Sequence, residues 1–288
     1  MSVNLLVPIL FTGVSLSAIY ILVALGFTLV FGIMRVVNFA HGEFAMMGGF
    51  ALLFLLDRLA LPYWLALPLA AVLVGTVSLL PERLVFRRLY GQELPSMIAA
   101  LGLSVALAEG AVILFEVHER SLPSAFSGLI HIGGFTFPED RLVVVAIALA
   151  ALGAFWLFVR FTRIGLALRT VAQDREIAEA QGIDTRATYR ITFVLATMLA
   201  ALGGALFAQI YALSPYMGSV PLMKAFIIVI IGGLGSVPGA ALGGVLLGMS
   251  ESFLNTFYGA SVAQFASFGA IILLLVLRPW GLLGRPEG

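Results

Sequence analysis

The chain has 288 residues, 61% of them hydrophobic and 11% charged, with a formal net charge of +1 and a mean hydropathy of +1.09. That composition lies far outside soluble globular domains and describes a polytopic membrane protein; no polar stretch is long enough to bury an aqueous core, so residues 1–288 read as one membrane domain. The balanced charge carries no signal for nucleic acid, and the absence of cysteine excludes disulfides, thiolate metal sites and thiol nucleophiles.

Residues 1–6 lack a basic region ahead of the apolar run and no small-residue cleavage site follows, so no removable signal peptide is expected. Hydropathy places spans at 5–32, 40–56, 62–80, 95–115, 141–159, 191–213, 222–235, 239–256 and 262–277. Nine crossings put the termini on opposite sides. With the C-terminus inside, the inner loops hold twelve basic residues and the outer side only Arg58, Arg120, Arg141 and Lys224. Positive charge accumulates on the cytoplasmic side, so the N-terminus is expected outside and the C-terminus in the cytoplasm.

At the start of the second span stands Val37-Asn38-Phe39-Ala40-His41-Gly42-Glu43. His41 and Glu43 are two apart and leave a helix on different faces, no HExxH pattern accompanies them, and His118 and His131 fall in an outer loop. No metal site is expected. Ionisable groups at membrane depth are costly and face an interior or a cavity, so Glu43, Glu109 and Glu251 are either paired structurally or part of a transport route. Asn38 is placed to cap the second helix.

Residues 160–190 hold ten of the thirty-one charged side chains. Within this island Asp174 is a helix-start residue and Gly182 a left-handed stop, which predicts about two turns of helix over 175–181. A helix so short is marginal unless packed, so Ile177, Ala178 and Ala180 are expected to rest on a surface. The island is either a docking element for a soluble partner or a solvated loop.

Further on, Ile231-Gly-Gly-Leu-Gly-Ser-Val-Pro-Gly-Ala240 interrupts an apolar run with glycines and a proline. Two readings fit: a re-entrant or discontinuous element beside a translocation route, which must be covered by protein or water, or a tight turn leading into a helix-packing face. Gly235, Gly239 and Gly243, and again Gly244 and Gly248, recur every fourth residue and permit close helix approach. The single lysine, Lys224, lies between Met223 and Ala225, outside any phosphate-binding loop, and no Gly-x-Ser-x-Gly nucleophile is present. The chain therefore carries no nucleotide site and no catalytic set.

Three segments, Asn38-Phe-Ala-His-Gly-Glu43, Gly232-Gly-Leu-Gly-Ser-Val-Pro-Gly-Ala240 with Gly243-Gly244 after it, and Arg278-Pro-Trp-Gly-Leu-Leu-Gly284, resemble the LivH-type permease subunits of branched-chain amino acid ABC importers, in the same order and spacing over essentially the whole chain. The resemblance implies an all-α permease of eight or nine crossing helices in a bacterial inner membrane, with a Gly-rich broken element and a cytoplasmic coupling helix within 160–190. In such permeases a Glu-Ala-Ala then three residues then Gly loop docks on the ATPase; Glu176, Ala178 and Gly182 match its spacing, while Ile177 departs from it. The implied partners are two cytoplasmic ATPases that bind ATP and Mg, a second homologous permease subunit and a periplasmic amino-acid-binding protein. Asn38, His41, Glu43, Gly232, Gly233, Gly235 and Gly239 become candidates for a translocation path or gate. A urea or short-amide importer, whose permeases have a similar His-Gly-Glu segment, is the nearest alternative. A secondary transporter or channel is the rival from another class, but it calls for coupling charges or a charged ring and needs no docking loop.

Overall fold

The structure is a computed structural model in which residues 3–123, 126–278 and 280–284 are described. It is an all-α bundle with one small hairpin. Helices α1 (Val3–Met34), α2 (His41–Asp57), α3 (Tyr63–Val77), α4 (Leu79–Leu84), α5 (Glu93–Phe115), α6 (Glu139–Phe161), α7 (Arg163–Gln173), α8 (Arg175–Ala180), α9 (Thr185–Ile210), α10 (Ser219–Gly232), α11 (Val237–Tyr258) and α12 (Ala260–Leu277) follow in order. Strands β1 (Leu129–Ile132) and β2 (Phe135–Pro138) pair antiparallel across Gly133 and Gly134, both in the left-handed region that such a two-residue turn requires. This hairpin, not expected from the sequence, runs straight into α6.

Every predicted span corresponds to a helix. Seven of the described helical segments are long and apolar enough to cross a bilayer, α3 and α4 counting together; α2 and α10 are shorter. α1 is apolar all round and accordingly sits at the centre, packed by α9, α10 and α11, while α2 lies against α9. α5, α6 and α12 are peripheral and expose their apolar side chains outward, as helices facing lipid do.

Small residues let these helices touch backbone to backbone. A side chain at Gly48 would run into the Ala201 backbone and one at Gly204 into that of Ala45, which fixes the α2 and α9 crossing. The repeating glycines of α11 serve two partners: Gly239 and Gly243 face Gly232 and Ile228 of α10, while Gly244 and Gly248 face Ile21 and Ser17 of α1. α11 is thus wedged between two neighbours.

The two ends of the bundle differ. One gathers Arg35, Arg160 and Arg169 around the α10–α11 turn and residues 283–284. The opposite end holds Thr12 of α1, Arg141 of α6, Tyr211 and Asn255. The described chain therefore starts at one end and finishes at the other.

Candidate translocation path and coupling element

Two interruptions bring backbone to mid-depth, and neither is the Gly-rich stretch. After Met34 the chain leaves α1 at the Arg-rich end, turns back, and starts α2 where His41 Nε2 donates to the Val23 carbonyl at 2.9 Å. Val23 lies about three turns inside α1, about 16 Å from its Met34 end. After α9 the segment 211–218 also folds inward, so that Gly218, at the start of α10, abuts Gly42 backbone to backbone. That segment is held by reciprocal hydrogen bonds between Arg120 and Leu213, at 2.9 and 2.8 Å. Irregular backbone at this depth is tolerated because protein covers it. α2 and α10, with 17 and 14 residues, reach only about 25 and 21 Å, short of a bilayer core.

At this junction Asn38, His41 and Glu43 are all buried. Asn38 does not cap α2, as the sequence suggested: its Oδ1 accepts from Ala40 N at 3.1 Å, bracing the turn before the helix, and the capping position belongs to Ala40. His41 points toward α1, edge-on to Phe27. Glu43 points the other way, accepting from Ser104 of α5 at 3.2 Å, with its second oxygen near Gly218. Asn38 Nδ2, His41 Nδ1 and Glu43 Oε2 are buried without a hydrogen-bond partner, three such atoms within six residues. Buried polar groups are ordinarily paired, so this clustering sets the junction apart from the apolar core around it. Among the described residues no cluster of metal-ligating side chains exists.

Gly232, Gly233, Gly235 and Gly239 lie elsewhere. They form the α10–α11 turn at the Arg-rich end, the tight-turn alternative of the two the sequence left open. Gly233 and Gly235 have φ of 105° and 78°, values that side chains resist, and Ser236 caps α11 by accepting from Gly239 N at 3.1 Å. The Arg278–Gly284 segment closes this turn: Leu282 N and Leu283 N donate to the carbonyls of Ile231 and Gly232 at 2.8 and 3.0 Å. Two of the sequence motifs are therefore one structural unit.

Lys224, counted on the outer side at the start of the 222–235 span, is buried within α10. Its Nζ donates to both carboxylate oxygens of Glu251 at 2.9 Å and lies 5.8 Å from the centre of the Tyr20 ring. Structural pairing, one of the two readings for Glu251, is met by this lysine; the side chains are only 9% and 13% exposed.

At the Arg-rich end α7 and α8 pack against the ends of α1, α6 and α9. Asp174 Oδ1 accepts from Ile177 N at 2.9 Å, and Gly182, at φ 82°, ends α8 while Ile183 N donates to the Ala178 carbonyl at 3.0 Å. Ala178 is the buried anchor, whereas Ile177 and Ala180 are exposed, so only one of the three expected contacts is made. Glu179 takes hydrogen bonds from Arg175 Nε at 2.9 Å and Thr185 Oγ1 at 2.8 Å, which hold its carboxyl below the usual range, and Arg175 also lies over the Tyr189 ring. Glu176 and Ile177 face outward. α8 is thus capped at both ends and presented at the end of the bundle with its outer face exposed.

A lipid-facing bundle, a protein-covered polar break at mid-depth and a stapled helix on one end make this a multi-pass membrane transport protein of the permease class. The chain belongs to the family of the branched-chain amino acid transport system permease component, whose model matches residues 9–277. It is 33% identical to the high-affinity branched-chain amino acid transport system permease protein LivH of Escherichia coli K12 over 295 residues, covering 96% of this chain and 95% of that one. BraD of Pseudomonas aeruginosa is 31% identical, with 96% and 95% covered, and LivM of Escherichia coli K12 is 25% identical, with 95% and 70% covered. PsaBC from Streptococcus pneumoniae in complex with Fab shares the fold, with a TM-score of 0.51 at 12% identity over 93% of this chain and 91% of that one.

Proposed function

We propose that the chain is the membrane-spanning subunit of an ATP-driven importer that carries leucine, isoleucine and valine into the bacterial cytoplasm. A second homologous permease subunit completes the path, a periplasmic or extracellular amino-acid-binding protein delivers the substrate, and two cytoplasmic ABC ATPases bind ATP and Mg. The observation that carries this reading is α8, a capped and glycine-terminated helix held by Arg175, Glu179 and Ala178 while Glu176 and Ile177 stay exposed. A solvated loop needs no such bracing. Short rigid helices transmit motion because they move as bodies, so Glu176, Ala178 and Gly182 form the ATPase-coupling element and the Arg-rich end faces the cytoplasm. Asn38, His41 and Glu43 belong to the translocation path or its gate, and Gly232, Gly233, Gly235 and Gly239 to a gate at its inner end.

Proteoliposomes holding the assembled importer test the reading: ATP-dependent uptake of labelled leucine is expected, and uptake of labelled urea without leucine would replace the substrate class. Because the chain lacks cysteine, single cysteines at Ser121 and Thr170 test orientation. In intact cells a membrane-impermeant thiol reagent is expected to label only the Ser121 site; labelling at Thr170 alone would invert the topology.

A further inference from the structure

A cleft of about 780 Å³ opens at the Arg-rich end between α1, α6, α7 and the α10–α11 turn. Arg35, Arg160 and Arg169 line it, and among the described residues none that lines it is acidic. Its walls are apolar, with Phe31, Val159, Leu234 and Leu283 among them. Two of the guanidiniums are positioned by local contacts. Arg160 lies over the Trp156 ring at 5.5 Å, and Arg169 Nη2 donates to the Arg160 backbone carbonyl at 3.2 Å, so each guanidinium is anchored by a residue of α6 that lines the cleft.

The depth of the cleft follows from α6. Its 23 residues span about 34 Å, roughly the hydrocarbon core, so Arg160 at its end lies at headgroup level. α7 then begins at once, with Thr162 as its cap. It buries Gly165, Leu168 and Val171 against the bundle and leaves Ile164 and Leu166, like Phe161 before it, exposed. Apolar residues exposed at this level beside arginines are the pattern of a helix lying in the membrane interface.

We propose that this cleft is a binding site for an anionic phospholipid of the inner leaflet, whose phosphate sits between Arg160 and Arg169 and whose acyl chains run down past Trp156 and Val159. Basic pockets between spans on the cytoplasmic side select such headgroups. A free phosphate satisfies the arginines but leaves the apolar walls wet; a phospholipid covers both. The lipid touches the turn at Gly235 on one side and α7, which leads directly into α8, on the other. It therefore ties the bilayer to the coupling element.

The test uses the assembled importer in phosphatidylcholine nanodiscs carrying increasing phosphatidylglycerol, with retained lipid counted by native mass spectrometry. Arg160→Gln and Arg169→Gln are each expected to weaken phosphatidylglycerol retention about fivefold, and Arg58→Gln, at the opposite end, to leave it unchanged. Inorganic phosphate added in excess is expected not to displace the lipid. A photoreactive phosphatidylglycerol on the unaltered protein is expected to label residues between Trp156 and Gln173; this arm decides the matter even if the glutamine variants fail to assemble. Label confined to other helices would overturn the proposal, as would retention unchanged in the double variant or displacement by phosphate. A double variant that keeps its lipid but sheds the ATPase would reassign the arginines to a protein contact.

Discussion

Replacing Glu251 by Gln tests how much of this bundle depends on a single ion pair. In the structure both carboxylate oxygens of Glu251 accept from Lys224 Nζ at 2.9 Å, and neither side chain is more than 13% exposed. Removing one member of a buried pair costs ~3 kcal/mol or more, because the remaining charge is stranded, whereas replacing both members together costs far less. At about 2 °C per kcal/mol for a protein of this size, Glu251→Gln should lower the midpoint of thermal unfolding of the detergent-purified permease by about 6 °C. Lys224→Met should do the same, and the double variant Lys224→Met with Glu251→Gln should recover at least half of the loss. The double-mutant cycle, read by fluorescence-detected thermal aggregation, gives the coupling directly. Single variants that each shift the midpoint by under 1 °C, or a double variant whose loss is the plain sum, would refute the claim that α10 is locked to α11 by this pair.

Gly182→Val forces a β-branched residue into φ 82°, at a cost of about 1–3 kcal/mol; together with Glu176→Lys it should leave the permease inserted but reduce ATPase co-purification and leucine uptake, and full retention of both would return the island to a solvated loop. Gly239→Leu drives a side chain into the Gly232 carbonyl, while Gly269 has open space around its Cβ, so uptake should fall at least tenfold for Gly239→Leu and stay near normal for Gly269→Leu, the crowding costing about 1–3 kcal/mol. Equal activities would show the turn to be roomy. The hydrogen bonds from Arg175 and Thr185 depress the Glu179 carboxyl, so its support for α8 is fully present above the unfolded-state value and is lost as pH falls through the lower folded value. Protection factors at residues 175–183, with the intrinsic pH dependence of exchange divided out, should therefore be flat between pH 6 and 8 and fall below about pH 4; a fall already at pH 6 would contradict the assignment.

Hydropathy made the nine main helices legible because each must bury its backbone polar groups internally and so announces itself by length. α8 was legible for a different reason: Asp174 and Gly182 are local signals whose effect needs no tertiary partner. What hydropathy hides is depth. Val36 and Val37 are as apolar as a span whether they cross the membrane or turn back beneath α1, so the mid-depth starts of α2 and α10 were invisible, though Pro215 and Gly218 hinted at the second break. Lys224 was counted on the outer side, at the start of the 222–235 span, and its pairing was hidden because its partner Glu251 lies a full helix away in sequence. Glycine density left two readings open, since Gly233 and Gly235 serve a turn at the bundle end with the same composition a re-entrant loop would have.

The closing of the α10–α11 turn by Leu282 and Leu283 bears on the order in which the chain matures. Synthesis runs from the N-terminus, so the carbonyls of Ile231 and Gly232 wait until α11 and α12 have both left the ribosome before their partners exist. Until then the glycine turn lacks these two hydrogen bonds and rests on the α10–α11 packing alone. The latch on the α10–α11 turn is therefore one of the last contacts that synthesis makes possible, although the turn itself lies roughly fifty residues earlier in the chain.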